Sequence, residues 1–467
     1  MQSKVEMEIR LSQFGTIADG KTLDTETIQN AIDSVANVGG GTVVFDGGHS
    51  FLSGSLVIKK GVELHLEAGA RLIASSDYDH YLPEHSIPKL TSNLVSETVL
   101  PRRAFIAGYQ AHGCSITGPG QISGNSEGFI EARGEYIHVM KGPVGGKSQY
   151  LERPFTIFLI DSQEVKFHDF TLTDPAFWAI RLTGCNDSSI QKIRILTDLK
   201  VPNADGIDID RCQRVDISDC ELVTADDCIS LKSCAGTSVF GDVSEIQISR
   251  CDMVSTSAAI TLGTESVGAI RNVIVQDCIV RDTHRGFAVR AREGGLISQV
   301  VFKDSQVSTR AFSPDWWGHG EALHVTAFRW NEPENIGEGN SERGLFGNVR
   351  DIRFENLRVT SEAGTLVWGQ VDGLIDEISF SNVYQVMRRE SEWEPRVDLR
   401  PNDVQPVVRR PHNAFELVNA GTLSFSHVEV LFDGDRDWFG ELIFKANCRL
   451  VGSPEEVGGE SIEDNED

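Results

Sequence analysis

The sequence predicts an all-β protein built as a right-handed parallel β-helix, and two regularities predict it. The first is a set of five-residue segments in which apolar and polar residues alternate, and whose last residues are 23, 27, 31, 27, 27, 52 and 26 positions apart. These segments are Val165–Asp169, Ser188–Lys192, Val215–Asp219, Ile246–Arg250, Val273–Asp277, Val300–Asp304, Ile352–Asn356 and Ile378–Asn382. Each is too short to bury its apolar face alone, whereas a period in the twenties matches one coil of three short strands and their corners.

The second regularity is the spacing of the cysteines. Two sets recur at about one coil: Cys185, Cys212 and Cys234, and Cys220, Cys251 and Cys278. Strands stacked about 4.8 Å apart hold thiols slightly beyond the usual disulfide spacing, and nine cysteines is an odd number. We therefore expect internal ladders of reduced thiols, which favours an intracellular protein.

Residues 1–452 are predicted to form a single β-helix domain. An amphipathic helix near 24–36, with apolar residues at helical spacing from Ile28 to Val35, would cap the open first coil. Residues near 310–348 lengthen one coil into a loop excursion, and such insertions usually line the binding face. Seven acids among the last fifteen residues predict a disordered tail over 453–467.

Composition excludes several classes of partner. The 467 residues are 40% hydrophobic, and no apolar run approaches the length of a membrane span. The net charge of −26 repels nucleic-acid phosphates and anionic lipid surfaces. The amino end has acids where a signal peptide would place its apolar segment, so we expect a cytoplasmic protein, or a secreted or periplasmic one if the natural chain begins earlier. The oligomeric state stays open.

One acidic cluster departs from a background of solvated carboxylates. Asp205 precedes the pair Asp226 and Asp227 by 21 residues, close to one coil, so stacking brings the three together. A regular strand cannot point both members of the pair outward, which predicts a corner there. Crowded carboxylates raise one another's pKa, and one kept protonated can donate to a glycosidic oxygen while its ionised neighbours activate a water.

Five motifs make the chain similar to a known family: Phe14–Lys21, Ile116–Gly124, Asn203–Gly206, Asp226–Cys228 and Gly263–Ser266. From Phe14 to Met387 the chain resembles glycoside hydrolase family 28, the polygalacturonase family, and in particular its bacterial members. The resemblance implies a pectin-lyase-like solenoid. It also implies that Asp226 is the general acid, and that Asp205 and Asp227 hold the water in a hydrolysis that inverts the anomeric centre. For such a mechanism we expect about 6.5 to 9.5 Å between acid and base.

Two departures from the family pattern lie beside these motifs. Ser257-Ala258-Ala259 stands where the family shows Gly-His-Gly, so no histidine is present to tune the acid. Ala288-Val289-Arg290 stands where it shows Arg-Ile-Lys. Arg290 can still bind a substrate carboxylate, since a guanidinium pairs with it through two hydrogen bonds.

Seven residues are candidates for substrate binding. They are Asn203, Trp178, Glu265, Arg290, Arg292, Trp316 and His319. The tryptophans would stack on sugar rings, and the arginines would pair with a uronate. We expect neither a cofactor nor a bound metal.

The sequence thus predicts an inverting glycosidase, acting on a pectin-type or related acidic oligosaccharide or polysaccharide. The long coil favours removal of sugars from a chain end. Two alternatives stay open. One is a polysaccharide lyase on the same scaffold, with Ca²⁺ held by aspartates and an arginine or lysine base. The other is a β-helix glycan-binding protein without activity, which Ala258 and Ala288 would fit.

Overall fold

Successive coils stack their strands in register, as the repeated segments predict. Val215 lies beside Ile246, which lies beside Val273, which in turn lies beside Val300. The segments therefore occupy one position on consecutive coils of a right-handed parallel β-helix. The structure is a computed structural model, and it describes residues 7–82, 103–132, 138–140, 153–313, 316–330, 345–402, 404 and 407–458.

One parallel sheet of twelve strands, here called the cleft sheet, carries the predicted acidic cluster at its edge. Its strands are Leu56–Val57, Ala104–Tyr109, Phe155–Ile160, Ile180–Thr183, Ile207–Asp210, Ile229–Ser233, Ala258–Ser266, Arg285–Ala291, Glu321–Ala327, Thr365–Gly369, Phe415–Val418 and Ile443–Ala446. Each strand belongs to a different coil, so side chains that are far apart in the sequence become neighbours across the sheet.

The remaining faces of the helix form a second parallel network, here called the outer sheet. Its strands are Met7–Arg10, Asp19–Leu23, Gly41–Phe45, Ser50–Ser53, Val62–Leu66, Arg71–Ala74, Ser115–Thr117, Gln121–Ser123, Lys166–His168, Thr171–Thr173, Ser188–Gln191, Arg194–Leu196, Gln213–Ser218, Glu221–Thr224, Val243–Ser249, Asp252–Ser255, Ile270–Gln276, Ile279–Thr283, Leu296–Thr309, Asn348–Ser361, Ile375–Arg388, Thr422–Asp433, Arg449–Val451 and Glu455–Glu456. Two short antiparallel hairpins stand apart, Ile130–Ala132 with His138–Met140 and Arg396–Asp398 with Val407–Arg409.

Helices are few among the described residues. The α-helices are Leu11–Phe14 and Thr25–Asn37, and the 3₁₀ turns are Tyr78–His80, Ser126–Gly128, Ala235–Phe240 and Arg436–Trp438. Helix Thr25–Asn37 lies where a cap is predicted and buries Ile28, Ala31, Ile32 and Val35 completely. In the described part of the chain, no helix is long and apolar enough to cross a membrane.

The last residue of each repeated segment turns the chain within the outer sheet. Asp219, Asp277 and Asp304 have φ of 58°, 55° and 51°, in the left-handed region that Asp and Asn tolerate better than most residues. Inside the coils, Phe302 stacks between Phe287 and Phe354 with ring centroids 4.7 and 5.3 Å away. The core is thus a column of apolar layers, one for each coil.

Two predicted boundaries need correction. The excursion near 310–348 is not a continuous loop, because Glu321–Ala327 inside it pairs in register with Arg285–Ala291 of the cleft sheet. The tail predicted from residue 453 begins later, because Glu455–Glu456 pairs with the strand Thr422–Asp433. Residues 459–467, which hold most of the tail's acids, lie outside the described residues.

All nine cysteines are free, and all but Cys448 are buried. Cys220, Cys251 and Cys278 form the predicted ladder. The residue after each cysteine pairs with its counterpart on the next coil: Glu221 with Asp252, and Asp252 with Ile279. Cys234 does not continue the other ladder. Gln213, which follows Cys212, pairs with Ser244, and Ser244 lies ten residues after Cys234. Cys234 therefore occupies a different position on its coil.

Candidate active site

Three carboxylates from adjacent coils meet at the edge of the cleft sheet. Asp205 and the pair Asp226–Asp227 precede neighbouring strands whose residues Ile207 and Ile229 are paired. One carboxylate oxygen of each aspartate lies within 4.8 Å of the others. Gly206 permits this approach, since a Cβ there would lie 2.4 Å from the carbonyl oxygen of Cys228. The sequence-predicted cluster therefore exists as a compact group.

Burial sets the protonation of this cluster. Asp205 and Asp227 are buried, and Asp226 is half-buried. Burial and then the charge of Asp227 raise the pKa of Asp226 to about 7. Burial and then Asp226 raise the pKa of Asp205 well above its ordinary value. A site with a proton on Asp226 near neutral pH can act as an acid and still hold a negative charge nearby.

Hydrogen bonds fix the Asp226–Asp227 corner. The hydroxyl of Ser257 donates to Asp227 Oδ1 at 2.9 Å, and the backbone N–H of Ala258 donates to the same oxygen at 3.2 Å. The hydroxyls of Thr224 and Ser255 donate to the carbonyl oxygen of Asp226, at 2.5 and 2.7 Å. The pair lies between two strands, as the predicted corner requires.

The nearest oxygens of the three carboxyl groups lie within 4.8 Å of one another, closer than the roughly 6.5 to 9.5 Å that we expected between acid and base. A water that accepts or donates bonds of about 2.8 Å can span two oxygens up to about 5.5 Å apart. Two carboxyl groups this close can therefore hold one water together.

Arg290 lies close to these carboxylates. Its side chain is buried, and its guanidinium carbon is 5.6 Å from the ring centre of Trp317. Its Nε has no hydrogen-bond partner among the described residues. Burial and the neighbouring Arg285 lower its pKa, while Asp227, Glu265 and Asp226 raise it. Arg290 is thus a desolvated cation with an unused donor, next to the acidic cluster.

Arg292, a predicted substrate ligand, is a structural residue. Its Nε donates to the carbonyl oxygen of Pro401 at 2.7 Å, and its Nη1 and Nη2 donate to the carbonyl and hydroxyl oxygens of Thr326 at 3.2 and 3.0 Å. The residue is completely buried. Its donors are committed to holding residues 396–402, here called the strap, against the cleft sheet.

Trp178, predicted to stack on a sugar, is instead part of the core. It is 4% exposed, and its ring stacks on Phe177 with centroids 5.5 Å apart. The Lys232 ammonium lies 4.8 Å from the ring centre, and the Arg181 guanidinium carbon 5.1 Å. These neighbours cover the ring, so a sugar cannot reach its face.

Trp316 and His319 belong to a loop that the strap holds in place. The carbonyl oxygen of Trp316 accepts hydrogen bonds from Arg400 at 2.7 Å and Arg396 at 3.2 Å, and its ring stacks on Trp317. His319 is not on the open face as predicted: it is fully buried and packs against His412. Burial lowers the pKa of His319 to about 4.

Asn203 and Glu265 are each held by a basic side chain. Asn203 is in the left-handed conformation (φ 53°), and its Oδ1 accepts a hydrogen bond from Arg153 at 3.0 Å. Glu265 accepts one from Lys232 Nζ, also at 3.0 Å. Because these bonds fix their orientation, both residues can present their remaining polar atoms to a ligand in a defined direction.

Four residues of this site were not among the predicted site residues. Asp208 and Lys232 lie on neighbouring cleft-sheet strands, with Lys232 Nζ 3.8 Å from Asp208 Oδ1. Ser257 is hydrogen-bonded to Asp227 and accepts a hydrogen bond from Arg285. The alternation of Asp208 with Asp210 was a usable signal, but nothing local in the sequence marks Ser257.

The fold and the site together define a parallel β-helix with three adjacent carboxylates at the edge of one sheet, and comparison with known proteins gives its family. The profile of Glycosyl hydrolases family 28 matches residues 81–314, half of the chain. The chain belongs to this family.

Similar proteins have been described from plants and bacteria. A "Probable polygalacturonase" of Vitis vinifera is 27% identical over 314 residues, 64% of this chain and 60% of the relative. An "Endo-polygalacturonase" of Pectobacterium carotovorum subsp. carotovorum is 24% identical over 293 residues, 62% of this chain and 69% of the relative. This chain thus spans about 60% of the Vitis protein's length. A bacterial origin stays a prediction.

Among solved structures, the family 28 exopolygalacturonase of Yersinia enterocolitica superposes with a TM-score of 0.68 at 17% identity, covering 96% of this chain and 79% of that one. At this identity the likeness shows the fold.

Proposed function

We propose that this protein is an inverting glycoside hydrolase that removes acidic sugars from the end of a pectin-type oligosaccharide. The observation that carries the proposal is the group formed by Asp205, Asp226 and Asp227, with their oxygens within 4.8 Å of one another and the pKa of Asp226 raised to about 7. The family to which the chain belongs and the activities named for its relatives support the same reaction.

In this mechanism Asp226 gives its proton to the glycosidic oxygen as the bond from the anomeric carbon to that oxygen breaks. A water held by Asp205 and Asp227 attacks the anomeric carbon from the opposite face and passes a proton to one of these carboxylates. The leaving sugar departs with the proton from Asp226. Exchange with solvent then returns a proton to Asp226 and restores the starting state.

Arg290 supports an acidic sugar as the substrate. The chain carries a net charge of −26, so an anionic ligand is repelled unless a local cation compensates. Arg290 is buried beside the carboxylates and has an unused Nε donor among the described residues. A uronate carboxylate next to the scissile bond would supply the missing acceptor and the missing counter-charge.

The strap and the loop it holds support action at a chain end. Arg400 and Arg292 tie the strap to Trp316 on one side and to the cleft sheet on the other. We expect a segment tethered in this way beside the site to restrict the path of a long polymer. The Yersinia enterocolitica protein, whose fold superposes with a TM-score of 0.68, is described as an exopolygalacturonase.

The test is product analysis on a panel of uronate, rhamnogalacturonan and neutral oligosaccharides, with Asp226→Asn as the matched control. We expect monosaccharide release from acidic members, and none from the variant. Release of mixed internal fragments would contradict the exo mode. No turnover on any member would favour the alternative of a glycan-binding protein.

The same panel separates hydrolysis from elimination. Three carboxylate oxygens within 4.8 Å also match the oxygen spacing around Ca²⁺, which is what a lyase would use. A lyase leaves an unsaturated sugar with ultraviolet absorbance and loses activity in a chelator. We expect neither effect, and seeing both would replace the proposed hydrolase with the lyase.

A further inference from the structure

Arg285 is a buried arginine next to the Asp226–Asp227 corner. It is 1% exposed, and its Nη2 donates to the hydroxyl oxygen of Ser257 at 3.3 Å. That hydroxyl donates in turn to Asp227 Oδ1 at 2.9 Å. A chain of two hydrogen bonds therefore runs from a cation to one member of the Asp226–Asp227 pair.

The surroundings of Arg285 direct its guanidinium to this chain. Its Nε and Nη1 have no hydrogen-bond partner among the described residues. Gly318 leaves the side chain room, since a Cβ there would lie 3.0 Å from Arg285 Cγ and Cδ. The carboxylate across the strand pair is Glu321, and burial raises its pKa to about 7, so it is a weak counter-charge near neutrality.

The other charged groups around the pair are already engaged or of the same sign. Lys232 is bonded to Glu265 and lies near Asp208. Burial raises the pKa of Asp205 and Asp208 well above the ordinary value, so neither offers a cation or a donor bond to Asp227. Arg290 packs on Trp317. Arg285 is thus the cation that a hydrogen-bonded path joins to Asp227.

Resting on the proposed function, we propose that Arg285, acting through Ser257, is a positioning residue that holds negative charge on Asp227 and so leaves the shared proton on Asp226. Ser257 has one O–H, which goes to Asp227, and its lone pairs accept from Arg285. Asp227 Oδ1 also accepts the backbone N–H of Ala258, so this oxygen has two donors. A charge-assisted network of this kind decides which carboxyl of a close pair keeps the proton.

The family pattern has a histidine where this chain has Ala258. In this chain Arg285 and Ser257 would take over the task of tuning the acid. A histidine loses its charge near neutral pH, whereas a guanidinium stays charged. The device in this chain therefore operates over the whole pH range in which Asp226 titrates.

The experiment measures the carboxyls directly. Protein labelled with ¹³C at the aspartate carboxyl carbon is titrated by NMR, and Asp226→Asn assigns the resonance of the pair. Losing the cation in Arg285→Met, or the donor in Ser257→Ala, should raise the lower midpoint of the Asp226–Asp227 pair by about one pH unit, since the ionised Asp227 carboxylate loses support. Arg285→Lys should restore it to within about a third of a unit, because the ammonium also donates and is charged.

Arg281→Met, at an exposed arginine paired with Asp252, is the matched control and should leave the midpoint unchanged. If Arg285→Met shifts the midpoint and Ser257→Ala does not, the charge acts directly and the path through Ser257 is wrong. No shift in either variant overturns the proposal entirely. Because the titration needs no substrate, this result is independent of whether the protein hydrolyses pectin.

Discussion

The guanidinium carbon of Arg290 lies 5.6 Å from the centre of the Trp317 ring, and Trp316 stacks on the same ring at a centroid distance of 5.9 Å. Trp317 lies in the same loop as Trp316 and His319, which the sequence indicated as substrate ligands. Its ring holds the guanidinium by cation–π attraction in a buried setting, where such a contact is strongest. The position of Arg290 is therefore fixed before a ligand arrives.

Arg290→Ala tests the role of this cation. We expect kcat/KM for a uronate oligosaccharide to fall by roughly 2 to 4 kcal/mol in transition-state free energy, and kcat/KM for a neutral analogue to change little, because the charged ligand alone loses a bidentate partner. Steady-state kinetics on the two substrates measure the difference. Equal losses on both would make Arg290 structural and would favour a neutral sugar such as rhamnose or galactose.

Asp226→Asn and Asp205→Asn test the acidic cluster. Each should lower turnover by at least about a hundredfold, because the proton donor or the water-holding carboxylate is lost. Neither should lower the melting temperature, since both substitutions relieve repulsion among buried carboxyls. Near wild-type turnover in either variant would show that this cluster is not the catalytic one.

The stability of Asp226→Asn should depend on pH in a defined direction. The folded pKa of Asp226 is raised from 3.8 to about 7, so between these values the folded state binds a proton that the unfolded state has released. Stability of the natural protein therefore falls as pH rises through this window. The difference in melting temperature, Asp226→Asn minus the natural protein, should therefore grow between about pH 4 and about pH 8. A difference that is constant across this range would contradict the raised pKa.

Arg292→Met should behave as a core substitution. It removes the donors to the carbonyl oxygens of Pro401 and Thr326, and a buried carbonyl left without a partner costs about 1–3 kcal/mol. We expect a clear loss in the free energy of unfolding, and equal effects on charged and neutral substrates. Arg281→Met is the exposed comparison, for which about 0–1 kcal/mol is expected. A loss of kcat/KM confined to acidic substrates would show instead that Arg292 binds the substrate.

The fold was predictable because each coil repeats the same local pattern. The last residues of the repeated segments, such as Asp219 and Asp277, take the left-handed conformation at equivalent corners. The acidic cluster was predictable for the same reason, since 21 residues between Asp205 and Asp226 is close to one coil. Period and spacing are properties that a sequence displays directly.

The predictions that failed concern residues whose contacts cross between coils or come from distant loops. Arg290 and Arg292 look alike in the sequence, but the carbonyl oxygen that Arg292 holds is 109 residues away, at Pro401. Trp178 looks like a sugar platform until Phe177 and Lys232 are seen to cover it. Cys234 has the right spacing, yet the coil corner that it occupies differs from that of Cys212.

The measurement that tests the central claim most directly is an NMR time course of the anomeric proton of the first-formed product, with a uronate oligosaccharide as substrate. In the proposed mechanism Asp226 is the acid, and Asp205 and Asp227 together hold the water. The product should therefore first appear with the configuration opposite to that of the bond cleaved, and then mutarotate. Carboxylates this close also occur in enzymes that form a covalent sugar intermediate, for which the separation is about 5–5.5 Å. First appearance of the retained anomer would show that one of these aspartates is a nucleophile and would contradict the account.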